Sequence, residues 1–72
     1  MSNLENNKNN IEMYLNQRIG SASQMNIRDN VRLVNAGISR DSIVNHALQS
    51  LVKEGRIRRF NQGPHSSVYR SN

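Results

Sequence analysis

Ser42, Asn45, His46, Gln49 and Lys53 recur at spacings of three and four residues. At 100° per residue these five side chains share one face of a helix. A carboxamide can hold an adenine edge through two hydrogen bonds, and lysine reaches phosphate or guanine. The face carries no carboxylate, which would repel phosphate. A second set is basic: Arg56, Arg58 and Arg59 precede residues 61–66, and Arg70 follows them. The arginine fork matches phosphate oxygens in a way that lysine does not. The expected assignment is therefore Ser42, Asn45, His46 and Gln49 on base edges. Arg40, Lys53, Arg56, Arg58, Arg59 and Arg70 are expected on the DNA backbone. The blander alternative is a solvated helix face beside a charged edge that blocks sheet-to-sheet aggregation.

Other chemistries find little material. His46 and His65 have no cysteine and no carboxylate at ligand spacing, and a metal site needs three or four ligands. No nucleophile elbow and no glycine-rich phosphate loop occurs. A chain of 72 residues has little room for a shaped catalytic pocket. The expectation is a non-enzyme with no catalytic residues, no metal and no cofactor.

The formal net charge is +5, and residues 37–72 hold six of the ten basic side chains but two of the five acids. The basic excess thus coincides with the candidate reading face. There is no cysteine to staple so small a core, which leaves helix packing or a partner subunit to stabilise it. No apolar run approaches the roughly 20 residues that span a bilayer, and the N-terminus lacks the apolar segment of a signal peptide. A cytoplasmic protein without membrane contact is expected.

These residues need elements to hold them. Residues 1–9 are polar and asparagine-rich and read as a flexible lead, before a domain over 10–72. Asn9 and Glu12 have capping-box spacing, and so do Ser2 and Glu5. The stripe Ile11, Leu15, Ile19 favours the later start, giving a helix from about residue 10 to 18, with an extension back toward Leu4 as the alternative, stopped at Gly20. Residues 21–25 suit a minimal strand or connector. Asn26 reads as the cap of a second helix to about Asn35, and 36–38 as the turn. Ser39 caps a third helix over 39–54 that ends at Gly55, with Val44, Ala47, Leu48 and Leu51 on its apolar face. Strands near 56–60 and 67–70 flank a loop. Ile11, Leu15, Ile19, Val31, Val34, Val44, Leu48, Leu51 and Ile57 are the expected core. Met13, Tyr14 and Met25 are either gap fillers or a dimer patch. The fold class is mainly α (α+β): three helices with a C-terminal β-hairpin.

The run Val44-Asn45-His46-Ala47-Leu48-Gln49-Ser50-Leu51-Val52-Lys53-Glu54-Gly55-Arg56-Ile57 resembles the winged helix-turn-helix superfamily, and within it the bacterial GntR-type regulators. The likeness covers roughly residues 26–70 and implies a DNA-reading third helix followed by a wing. The same run resembles Z-alpha domains more weakly. Asn45 falls on their signature asparagine, but Gln49 stands where they carry a tyrosine, and Tyr69 where a tryptophan is expected.

Together these features lead to the expectation of a sequence-specific double-stranded DNA-binding protein. It would be a small phage- or plasmid-type transcriptional regulator, most simply a repressor, bound as a homodimer to paired half-sites with no small-molecule effector. The alternatives are a protein-docking winged helix and a Z-DNA-binding domain.

Overall fold

The computed structural model describes residues 3–34, 39–63 and 66–72. Its elements are α1 (Asn3–Asn16), β1 (Ala22–Ser23), α2 (Gln24–Asn30), α3 (Arg40–Lys53), β2 (Ile57–Gly63) and β3 (Ser66–Ser71). The strands form one antiparallel sheet in the order β1-β3-β2. Three helices and a C-terminal hairpin, with a two-residue strand on its flank, make a winged helix.

α3 forms for local reasons. Ser39 is extended, and its Oγ accepts from the Ser42 amide at 3.2 Å, satisfying one of the free N–H groups of the first turn. Val44, Ala47, Leu48 and Leu51 are fully buried at helical spacing. The helix closes in a Schellman turn. Gly55 takes φ +75, its amide donates to Val52, and the Arg56 amide donates to Leu51. That turn reverses the chain into β2.

α1 begins at Asn3 rather than near residue 10, so from Asn3 onward the expected flexible lead is helix. Long-range bonds override the weak helix preference of asparagine. Asn7 acts as a surrogate peptide group: its Nδ2 donates to the Val34 carbonyl at 3.0 Å, and its Oδ1 accepts from the Val34 amide at 2.6 Å. Asn10 Nδ2 donates to the Arg32 carbonyl at 3.0 Å. α1 also ends at Asn16, before the third member of its expected stripe. Ile19 therefore lies beyond the helix, fully exposed.

α2 is shifted too. Its cap is Ser23, whose Oγ accepts from the Asn26 amide, and it stops at Asn30 instead of reaching Asn35. Two of the carbonyls a longer helix would use are taken, since Arg40 Nη2 donates to Arg28 and Val31, and the Val34 amide donates instead to Asn7 Oδ1. Val34 consequently lies beyond the helix and is 39% exposed, outside the core. The observed core joins Ile11, Leu15, Val31, Val44, Leu48, Leu51 and Ile57 with Ala22, Ile27, Ala47 and Tyr69. The expected turn at 36–38 and the loop residues Pro64 and His65 lie outside the described residues.

Candidate nucleic-acid interface

The polar face of α3 is solvent-exposed along its length: Ser42, Asn45, His46, Gln49 and Lys53 are all open. Its two borders differ. Toward α1, Ser42 and His46 line a mostly apolar hollow of about 350 Å³ with Leu4, Val34 and Ile43. Ser42 is also occupied locally, since its Oγ accepts from Ser39 Oγ at 2.9 Å. Toward the hairpin, Gln49 and Lys53 line a groove of about 190 Å³ with Arg59 and Tyr69. Asn45 is exposed on α3 one turn before Gln49. None of the described residues lining this groove is acidic.

The hairpin arginines separate by strand alternation. Ile57 and Tyr69 are buried, and Arg59 pairs in register with Tyr69, so Arg59 faces α3. Its Nε donates to Ser67 Oγ at 3.2 Å, which steadies the guanidinium over the groove. Arg58 and Arg70 pair with each other and project from the opposite face. Arg58 Nε donates to Asn72 Oδ1 at 2.8 Å, and Asn72 Nδ2 donates in turn to the Gly55 carbonyl.

Two of the expected backbone contacts are otherwise engaged. Arg56 is turned away from the groove by the Schellman turn and docks on α1. Its Nη2 lies 2.8 Å from Glu12 Oε1 and 2.9 Å from Asn9 Oδ1, and its Nη1 lies 3.1 Å from Glu54 Oε1. The neighbouring carboxylates, Glu12 first, hold the guanidinium charged by raising its pKa, and Arg56 in turn lowers that of Glu12. Lys8 completes the knot from a buried position, 2.6 Å from Glu54 and 3.1 Å from Glu5. Glu54 raises the pKa of this amine against the opposing effect of burial. Arg56 is thus a strut between α1 and the root of the wing. Arg40 caps the end of α2 through one nitrogen while its side of the helix stays exposed. Arg28 bridges to Asp41 at 3.0 Å and to Asp29 at 3.0 Å, tying α2 to the first turn of α3.

The structure therefore brings Gln49, Lys53 and Arg59 together, keeps Asn45 beside them, sets Ser42 and His46 on the α1 border, and moves Arg58 and Arg70 to another face. Sequence reasoning missed Tyr69 as groove wall, although alternation with Val68 and Arg70 carried the signal. It also missed the acid knot, whose members run from Glu5 to Arg56.

No protein-family model and no curated protein matches the chain. One solved structure resembles it over nearly its whole length. This is the structure described as giving insights into the DNA recognition and protein interaction domains of HOP2 and its homologous DNA pairing properties. The TM-score is 0.70 at 20% sequence identity, covering 92% of this chain and 98% of that one. The likeness is one of fold. The winged helix is shared.

Proposed function

We propose that this chain binds double-stranded DNA, with α3 in the major groove and the wing beside it. The observation that carries this reading is the acid-free groove where Gln49, Lys53 and Arg59 converge. Asn45 and Gln49 read base edges, with His46 and Ser42 at the border of the contact. Lys53 and Arg59 hold phosphates, and Arg40, although one of its nitrogens is held by the Arg28 and Val31 carbonyls, keeps an exposed side for a further phosphate at the start of α3. The DNA recognition named for the HOP2 domain, which has this fold, supports the same reading.

Within it, the chain is a small transcriptional regulator of the GntR-like winged-helix kind, a repressor that occludes a promoter as a homodimer in the cytoplasm. It has no enzyme activity and no effector. A single wing and helix cover few base pairs, so paired half-sites would supply the remaining specificity. Selection of bound duplex from a random pool, with the mass of the complex measured alongside, tests the reading. A recovered motif bound by two copies supports it, and recovery of no motif at low salt refutes it. The docking-module alternative draws on the apolar hollow between α1 and α3, and would show as binding independent of salt.

A further inference from the structure

The outer face of the sheet lies outside the groove just described. Ile57 and Tyr69 point into the core, so Arg58, Phe60, Val68 and Arg70 point the other way. Arg58 stands opposite Arg70, and Phe60 opposite Val68. Phe60 is 44% exposed, and both arginines are open. None of the three strands contains an aspartate or glutamate.

Two features of this face are unfavourable in the free protein. Like charges directly opposite on adjacent strands repel each other. An exposed phenyl ring leaves apolar surface in water. Both are relieved by one kind of ligand, an anionic backbone carrying flat apolar rings. We propose that this face binds single-stranded nucleic acid, with a base stacked on Phe60 and against Val68 and flanking phosphates on Arg58 and Arg70. Aromatic rings between cations on an open sheet form the general stacking platform for unpaired bases.

The other occupants fit less well. A second copy would set the same two arginines against their equivalents and add to the repulsion. A duplex keeps its base faces stacked inside, so the ring would meet none. An acidic polypeptide would satisfy the arginines but gives the ring no specific partner. The platform is independent of the duplex groove, because Lys53 and Arg59 lie on the other side of the hairpin.

The test uses the full chain and a labelled oligothymidylate. Phe60→Leu keeps an apolar side chain but removes the ring, and should weaken binding at least about fivefold while leaving duplex affinity unchanged. Arg58→Ala with Arg70→Ala should flatten the single-strand salt plot by up to about 1.4 units. In the unaltered protein, amide shifts induced by the oligonucleotide should centre on 58–60 and 68–70. Oligonucleotide shifts confined to 45–53 would overturn the proposal, as would a folded Phe60→Leu variant with full affinity. So would displacement by polyglutamate as effective as by unlabelled oligothymidylate, which would mark the face as one for acidic polypeptides. Loss of duplex binding with oligothymidylate binding intact would count against the duplex reading alone.

Discussion

The groove between α3 and the wing makes a quantitative claim about salt. Lys53 and Arg59 line it together, and neither has an acidic partner among the described residues. On duplex DNA each cation that neutralises a phosphate adds about 0.9 to the slope of log affinity against log salt. Replacing both by alanine should therefore flatten that slope by about 1.8 units. Over a fourfold rise in salt, the unaltered protein would lose about twelvefold more affinity than the variant. Fluorescence anisotropy with a labelled duplex reads this directly, with thermal melts of each protein in parallel. Arg56→Ala is the internal contrast. Its guanidinium is bound to Glu12, Glu54 and Asn9, so it should lower the melting temperature and leave the slope unchanged. A folded Lys53→Ala, Arg59→Ala protein with the original slope would remove the groove from the interface. A slope loss in folded Arg56→Ala would refute the placement of that residue as a strut.

Three further outcomes follow from the same geometry. Asn45→Ala should cost about 1–3 kcal/mol on the selected site and much less on random duplex; equal losses in a competition titration would mean that Asn45 positions without specifying. Asn7→Ala removes both bonds to Val34 and should cost about 1–3 kcal/mol in chemical denaturation, with faster hydrogen exchange at the Val34 amide; unaltered exchange there would dissolve the link. Glu12 and Glu54 are held below their ordinary value of 4.5, Glu12 chiefly by Arg56 and Glu54 first by Lys8. A carboxyl with a depressed folded pKa contributes stability above its unfolded value and loses it as pH falls through the folded one. Melting temperature should hold from neutrality to near pH 4.5 and drop below it, less steeply in Glu12→Gln, and an identical acid profile for that variant would exclude the knot as the cause.

What could be read from sequence was what is decided locally. α3 was legible from cap to stop because Ser39, the spacing of Val44 to Leu51, and Gly55 each act within a few residues. The hairpin was legible from its change of period, and the helix face from its lack of acids. The start of α1 was not, because Asn7 and Asn10 are committed by partners at Val34 and Arg32, more than twenty residues away. Asn7 holds the Val34 backbone outside α2, so the apolar character of Val34 misled the assignment of both α2 and the core. Arg56, Arg58 and Arg59 look equivalent in the chain. Strand phase sends the last two to opposite faces, and a turn with distant glutamates claims the first. Local composition carries no trace of those glutamates' position.

The disposition of the acids also governs how the molecule would meet a polyanion. All five are tied up in two knots, Glu5, Glu12 and Glu54 around Lys8 and Arg56, and Asp29 and Asp41 around Arg28. Each knot carries one more negative charge than positive, so both remain slightly anionic. Arg18, Arg32, Arg40, Lys53, Arg58, Arg59 and Arg70 are left without an ion-pair partner among the described residues, and four of these seven belong to the wing and the adjoining end of α3. Such a distribution has an electric moment as well as a net charge. In the field of a charged rod it experiences a torque before it makes any contact, and long-range steering of this kind raises productive encounters at low ionic strength. The glutamates that brace the wing therefore shape that moment, and neutralising them would raise the net charge while blunting the preference for one orientation, even where every contacting residue is kept.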